Sequence, residues 1–265
     1  MKTLIRFAKW WNESIIEAES ELVSATSAEF AVDITGCVSK YFYRTEGDSV
    51  RMSNLGKPLV HLAYSIVKPK AETFTPADMW VLSMGDYAEA LVKELMRLNN
   101  FEFTHDQAEV RVGNILGHVD GVVDGETVFD IKAMSTTYWK SFTSKPDNTR
   151  GYLTQLSLYQ YGLKLPKAAF LCLNKVTGQL KVVKLPIAVM QAQVCEAYTK
   201  LQALKRIQNE DDIRAVVEPE PPKKLKNGKL VVPDSMEHSP YKSEVYGGDY
   251  YADQEYFNSR WLDKT

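Results

Sequence analysis

Three charged side chains on one short segment are the residues of this sequence best suited to chemistry. The segment GHVDGVVDGETVFDIKAM, at positions 117–134, carries Asp120, Asp130 and Lys132 where a strand normally favours Val, Ile or Thr. Charges between buried apolar residues are costly, and they persist when they are paired, solvated or bound to a cation. Two interpretations therefore stay open. One is an ion pair on an edge strand, in which Lys132 neutralises an acid, and the other is a site for a divalent cation.

The segment around these charges has the pattern of a β-hairpin. Its apolar first half leads into Asp124-Gly125, a dipeptide that tolerates the positive φ of tight turns between antiparallel strands. Side chains alternate between the two faces of a strand, so Asp130 and Lys132 are predicted on one face while the opposite face is apolar. Asp120 lies on the partner strand and reaches this pair if the register places it opposite.

The periodicity of apolar residues predicts the elements that must position these charges. It predicts helices at 4–23, 26–43, 54–67, 76–98, 148–163 and 187–209, and strands at 107–112, 116–123, 126–133, 168–176 and 179–185. The clearest helix start is Thr75-Pro76, because Thr suits the N-cap and Pro suits the first helical position. We expect an N-terminal helical segment at 1–70 packed on a core at 71–215, followed by an irregular aromatic-rich tail at 216–265.

Composition sets the class of the protein. With 265 residues, of which 45% are hydrophobic and 25% charged, the chain has the composition of a globular protein with one buried core. No apolar run approaches the length of a membrane span, and the N-terminus lacks a signal peptide's apolar stretch, so a cytoplasmic protein without a membrane partner is expected. The three cysteines are widely spaced without a C-x-x-C, so neither a disulfide framework nor a zinc or iron–sulfur site is indicated.

The net charge of −2 hides an uneven distribution of charge. Residues 131–206 contain 12 Lys or Arg against 2 Asp or Glu. Such an excess occurs as a solvated face or as a surface that follows phosphates, and the candidate phosphate contacts are Lys140, Lys145 and Arg150. Aromatic residues are interleaved with the first of these cations, and they either stack on unpaired bases or pack beneath a loop. These aromatic residues are Tyr138, Trp139 and Phe142.

Two predicted helices carry polar residues that packing does not require. In helix 76–98, Gly85 and Glu89 are one turn apart. A mid-helix Gly costs about 1 kcal/mol relative to Ala, so a close approach of another backbone is expected at Gly85. In helix 148–163, Gln155 and Tyr159 are also four residues apart and therefore share a face.

These residues occur in an order that resembles a known enzyme superfamily. The motifs are G-x-x-x-E on a helix (Gly85, Glu89), G-x-x-D on a strand (Gly117, Asp120), D-I-K on the next strand (Asp130 to Lys132) and Q-x-x-x-Y on the following helix (Gln155, Tyr159). The set resembles the PD-(D/E)XK nuclease superfamily, and within it the RecB-like exonuclease branch, over residues 80–162. The resemblance implies an α/β fold with a restriction-endonuclease-like core, in which helices flank a central mixed β-sheet, and an N-terminal helical extension.

The resemblance also implies a role for each charged residue of the motifs. Asp120 and Asp130 would bind Mg²⁺ or Mn²⁺ together with the carbonyl of Ile131, and Glu89 would hold the cation or its water. Lys132 would position or activate the attacking water. The residue chemistry agrees, because these cations prefer carboxylate and carbonyl oxygens and a nearby lysine stabilises the negative charge of a transition state.

The implied activity is hydrolysis of DNA, with Gln155 and Tyr159 in contact with the strand near the scissile phosphate. The expected function is that of a metal-dependent deoxyribonuclease, an exonuclease of DNA recombination, DNA repair or phage DNA metabolism. Its expected partners are DNA and a recombination or single-strand-binding protein. Two alternatives stay open: a structure-specific endonuclease with the same chemistry, and a non-catalytic DNA-binding or inhibitory protein that retains the nuclease fold.

The C-terminal tail departs from the pattern of that branch. Many of its members tie down a C-terminal segment with cysteines around an iron–sulfur cluster, whereas residues 236–246 of this chain keep Pro-Tyr-Lys and contain no Cys. No iron–sulfur cluster is therefore expected. Four aromatic residues are candidates to anchor the tail instead. They are Tyr241, Tyr246, Tyr250 and Trp261.

Overall fold

The computed structural model describes residues 1–13, 50–70, 76–224, 230–233, 235–236 and 239–246. Its helices are α1 (Lys2–Glu13), α2 (Leu59–Val67), α3 (Pro76–Leu98), α4 (Thr136–Ser144), α5 (Tyr152–Gly162), α6 (Ile187–Leu204), α7 (Glu210–Val216) and α8 (Lys242–Tyr246). Its strands are β1 (Glu109–Val112), β2 (Ile115–His118), β3 (Gly121–Val123), β4 (Thr127–Met134), β5 (Lys167–Asn174), β6 (Leu180–Lys184), β7 (Lys223–Lys224) and β8 (Leu230–Val231). The predictions for 14–23, for helix 26–43, for Thr75 as an N-cap, and for Tyr250 and Trp261 lie outside the described residues.

A four-stranded mixed sheet with the order β3-β4-β5-β6 forms the centre of the fold. The β4–β5 pair is parallel, and the pairs on either side are antiparallel. Helices pack on both faces of this sheet, so the predicted α/β class with a central mixed sheet is confirmed. Strand β4 lies between β3 and β5, so the predicted edge position of its charges is wrong, whereas the predicted pairing of Lys132 with an acid is present, with Asp130.

The β3–β4 hairpin forms where it was predicted. Asp124 and Gly125 have φ values of 54° and 64°, the conformation that a tight antiparallel turn requires. The strand predicted at 116–123 is divided, however, because β2 pairs with β1 in a separate sheet and β3 joins the central one. The chain passes from one sheet to the other at Val119 and Asp120, and β-favouring residues on both sides conceal this break in the sequence.

Apolar residues pack into two cores, one on each face of the central sheet. Strand alternation divides β4 between them, so that Val128 joins the core with α5 and α6, while Phe129 and Ile131 join the core with α1 and α3. Asp130 is 1% exposed on the Val128 side. The alternation of Asp130 and Lys132 on one face with apolar residues on the other is as predicted, and burial of Asp130 extends the core over the charged face as well.

Helix α3 has the predicted bounds, whereas other helix predictions need correction. Helices α2 and α5 begin later than predicted. Helix α6 ends at Leu204, since Asn209 and Asp212 form a capping box that starts the separate helix α7. Helix α4 was not predicted at all. None of the helices in the described ranges is long and apolar enough to cross a membrane.

The described part of the C-terminal tail packs on the body of the protein. Tyr241 and Tyr246 are buried in the core that also contains α5, as predicted. The ring of Tyr241 stacks on Tyr64, with 5.7 Å between centroids, and Nδ1 of His61 lies 2.8 Å from Oγ of Ser239. These contacts attach the tail without cysteines. The division at 70 and 215 into three parts remains a prediction.

Candidate active site

Strand β4 places an acid and a lysine side by side in the protein interior. Nζ of Lys132 lies 2.9 Å from Oδ1 and 2.7 Å from Oδ2 of Asp130. Burial raises the pKa of Asp130, and the neighbouring ammonium offsets this only in part. Burial alone would lower the pKa of Lys132, but Asp130 and Asp120 outweigh it and raise that pKa. Lys132 is therefore held in its charged form beside the carboxylate.

Asp120 reaches the pair through the backbone of β4. Its Oδ2 accepts a 2.6 Å hydrogen bond from the amide of Ile131, so the crossing between the two sheets brings the two predicted acids together. The structure thus places the amide of Ile131 against Asp120, and the role of its carbonyl remains a prediction. Burial, Glu89 and Asp130 raise the pKa of Asp120 well above its ordinary value. The two neighbouring carboxylates thus disfavour the charged form of Asp120, in addition to its burial.

Glu89 approaches the same acids from α3. Its carboxylate is close enough to raise the pKa of Asp120, second only to the effect of burial. Its Oε1 accepts hydrogen bonds from Nζ of Lys93 and Nε2 of Gln107, each over 2.6 Å. Lys93 also donates to Asp106 over 2.8 Å. The three predicted acids consequently lie within electrostatic reach of one another.

None of the described residues provides the close packing that was predicted at Gly85. A β-carbon at this position would meet no atom of the described residues within 4 Å. The close approach of two backbones occurs elsewhere, where a β-carbon at Gly56 would lie 2.2 Å from Cα of Gly151. Nothing in the described residues explains the glycine in the middle of α3.

Gln155 and Tyr159 share one face of α5, as their spacing predicted. Nε2 of Gln155 donates to the hydroxyl of Tyr159 over 2.8 Å. The Tyr159 side chain is buried, and burial together with Asp130 raises the pKa of its hydroxyl. The phenol therefore stays protonated and remains able to donate a hydrogen bond. Their contact with DNA remains a prediction.

The three cations predicted to bind phosphates lie in and just after α4. Lys140, Lys145 and Arg150 are all exposed. The guanidinium carbon of Arg150 lies 4.7 Å from the ring centroid of Tyr138, so this cation is partly fixed by an aromatic face. Their contact with DNA also remains a prediction.

The aromatic residues beside these cations serve mainly as packing groups. Phe142 is completely buried, with its ring centroid 5.3 Å from that of Phe170. Nε1 of Trp139 donates to the carbonyl of Cys172 over 2.9 Å. The interpretation that Phe142 stacks on exposed bases is therefore wrong, because a helix that the sequence did not reveal turns this ring into the core.

The carboxylates suit a hard divalent cation by their chemistry, although protein groups engage them in this structure. Within the described ranges, no group of three or more His, Cys, Asp or Glu side chains is arranged to hold a metal ion. Asp120 is turned to a backbone amide, but the buried Oδ2 of Asp130 receives no hydrogen bond from the described residues, although the Lys132 ammonium lies close to it. Two buried carboxylates whose pKa values are raised form a donor set that Mg²⁺ or Mn²⁺ would stabilise, because these cations prefer carboxylate oxygens.

Sequence reasoning missed three side chains of the site. Lys93 is four residues after Glu89, and Tyr152 is three residues before Gln155, so helical spacing was an available signal for both. The ring centroid of Tyr152 lies 4.8 Å from Nζ of Lys132. The third is Gln107, which no local signal could reveal because its contact depends on how the α3–β1 connection folds.

Comparison with known proteins gave structural neighbours of low similarity. No family model matches the chain, and a search of curated proteins found no match. One similar solved structure is the protein SSO0001, with a TM-score of 0.41, 12% identity, and coverage of 65% of this chain and 85% of that chain. Another is the alkaline exonuclease LHK-Exo from Laribacter hongkongensis, with a TM-score of 0.39, 12% identity, and coverage of 57% and 89%. A third is a candidate exonuclease from Eubacterium rectale, with a TM-score of 0.36, 12% identity, and coverage of 78% and 90%.

Proposed function

We propose that the protein is a metal-dependent DNA exonuclease. The observation that carries the proposal is the buried Asp130–Lys132 pair on an interior strand, beside which Asp120 is tied to the backbone over 2.6 Å. Burying an ion pair costs more than its attraction returns unless its geometry is excellent, and here a second acid adds repulsion. Such an arrangement is not explained by stability, but it suits the binding of a cation next to a phosphodiester.

The motif residues would divide the work of hydrolysis between them. Asp120, Asp130, Glu89 and the carbonyl of Ile131 would hold Mg²⁺ or Mn²⁺, which when bound polarises a phosphate and lowers the pKa of a water. Because its pKa is raised, Lys132 would act as a fixed ammonium rather than as a base. It would orient the attacking water and stabilise the negative charge that develops in the transition state.

The DNA strand would be held by groups on α4 and α5. Tyr159 keeps its proton and receives a hydrogen bond from Gln155, so its hydroxyl can donate to a phosphate oxygen. The exposed cations Lys140, Lys145 and Arg150 would neutralise phosphates farther along the strand. We propose a role in DNA recombination, repair or phage DNA metabolism, together with a recombination or single-strand-binding protein.

The test compares end-labelled linear DNA with closed circular DNA, in Mg²⁺, in Mn²⁺ and in a chelator. We expect release of nucleotides from the ends of linear DNA only with a metal. We expect no release by Asp130→Asn or, if its unpaired lysine prevents folding, by Asp120→Asn. Asp211→Asn, a change at an exposed acid of α7, is the matched control and should cleave normally. Cutting of circles would overturn the exonuclease mode, and DNA binding without any cleavage would overturn the deoxyribonuclease.

A further inference from the structure

Among the described residues, Glu89 is held through one of its two carboxylate oxygens. Nζ of Lys93 and Nε2 of Gln107 both lie 2.6 Å from Oε1. Among the described residues no hydrogen bond reaches Oε2, and about a quarter of the side chain (26%) is exposed. Two donors on one oxygen fix the rotation of the carboxylate and leave the other oxygen available for a ligand.

Lys93 is unusually deeply buried for a lysine, since only 6% of its side chain is exposed. Removing an ammonium from water is unfavourable, and at Lys93 two carboxylates offset this. They belong to Glu89, at 2.6 Å, and to Asp106, at 2.8 Å. Asp106 also pairs with Arg97, which in turn pairs with Glu94, so positive and negative groups alternate along the α3 face. This alternation gives each charge a defined position.

A strained turn delivers two of these groups to α3. His105 and Gln107 have φ values of 59° and 52°, and Asp106 lies between them. For residues other than glycine this left-handed conformation is unfavourable. Strain of this kind persists where the surroundings determine the conformation, and it concentrates at functional sites. Here the strained turn directs Asp106 to Lys93 and Gln107 to Glu89.

We propose that Lys93, Asp106 and Gln107 form a bracket that positions Glu89, so that Oε2 is the oxygen offered to the catalytic cation or its water. The inference rests on the proposed function. The three residues act through Glu89 and are therefore positioning residues. Partners that orient a metal ligand are typically worth about 10–100-fold in metal affinity or activity.

The first experiment uses Gln107→Asn in the full chain. Asn tolerates positive φ better than Gln, so the backbone is relieved, but the shorter side chain does not extend to Glu89. Binding of Mn²⁺ without DNA, measured by calorimetry, is expected to weaken by about tenfold while the melting temperature stays equal or rises. A merely structural role would lower the melting temperature and leave the Mn²⁺ affinity unchanged. Unchanged affinity overturns the bracket, whereas a wild type that binds no Mn²⁺ contradicts the proposed function itself.

The second experiment tests whether Lys93 acts through Glu89. Lys93→Met is expected to lower the single-turnover rate at saturating Mg²⁺ by about 10–100-fold, and Lys93→Arg to recover part of it. Lys200→Met is the matched control, because Lys200 pairs with Glu196 at the same spacing over 2.9 Å on α6. In a Glu89→Gln background, Lys93→Met should have no further effect. An equal loss of rate in both backgrounds overturns the inference, and a wild type without cleavage contradicts the proposed function instead.

Discussion

The backbone of Gly117 packs directly against the ring of Tyr159. A β-carbon built on Gly117 would lie 2.5 Å from Cε1 of Tyr159. The glycine belongs to β2 and the tyrosine to α5, and each comes from a different motif of the sequence. At this contact, burial and then the charge of Asp130 raise the pKa of the Tyr159 hydroxyl. A side chain at position 117 would clash with Tyr159, so only glycine lets the strand and the helix approach this closely.

Gly117→Ala should destabilise the protein, because the added methyl group must displace the buried ring of Tyr159. We expect the free energy of unfolding in urea to fall by about 1–3 kcal/mol. Gly85→Ala is the matched control, since no described atom lies within 4 Å of a β-carbon there. It should raise that free energy by about 1 kcal/mol. If both substitutions changed the free energy of unfolding in the same direction, the roles assigned to Gly117 and Gly85 would be contradicted.

Asp120→Asn should stabilise the metal-free protein at neutral pH. The pKa of Asp120 is raised in the folded state, so its contribution to stability falls as pH rises from its ordinary value of 3.8 towards the folded-state pKa. Asn keeps an acceptor for the Ile131 amide and removes the charge. Melting temperatures in a chelator should favour the variant at pH 7.5 and converge with the wild type below about pH 3.8. A variant that is less stable than wild type at pH 7.5 would contradict the sign of this effect.

Lys132→Met should slow cleavage without removing the cation. By analogy with the loss of one preorganised donor, the single-turnover rate at saturating metal should fall on the order of 10² to 10³. Calorimetry should show that Mn²⁺ still binds, because the oxygen donors remain. If Mn²⁺ binding were lost and the rate at saturating metal preserved, Lys132 would be part of the metal site rather than a group that stabilises the transition state.

Replacing Lys140, Lys145 and Arg150 together by Ala should weaken the salt dependence of DNA binding. Each phosphate contact contributes roughly 0.7 to 0.9 to the slope of log affinity against log salt, so the slope should flatten by about two to three units. Equilibrium binding with Ca²⁺ across a salt series measures it. The control is a triple variant at exposed cations elsewhere in the basic segment 131–206, away from α4. Its positions are Lys164, Lys205 and Arg206. Equal slopes for both triples would mean that the DNA follows another surface.

The attachment of the tail at His61 should weaken in acid. Burial, followed by the charge of Lys57, lowers the pKa of His61 from 6.5 to about 3. The unfolded chain therefore binds a proton between these values that the folded chain does not, and stability falls as pH decreases through this window. His61→Gln cannot titrate, so the free energy of unfolding should fall less steeply for the variant between pH 6.5 and 4. Parallel curves would show that His61 does not contribute.

The sequence by itself determined the features that depend on neighbouring residues. The positive φ preference of Asp124-Gly125 was sufficient for the hairpin turn, and Pro76 with its flanking pattern was sufficient for the bounds of α3. The order of the motifs, with Glu89, Asp120 and Asp130 as acids, also came from the sequence. Each of these signals depends on residues close together in the chain, so it can be read from the sequence without knowing the tertiary structure.

Tertiary structure alone decided which of these residues meet and in what surroundings. The passage from β2 to β3 brings Asp120 to the Ile131 amide, and the α3–β1 turn brings Gln107 to Glu89. Interior placement of β4 turns the Asp130–Lys132 pair from an exposed feature into a buried one. Such contacts join residues that are distant along the chain. Their geometry and their desolvation depend on sheet order and helix packing, which hydrophobic periodicity does not encode.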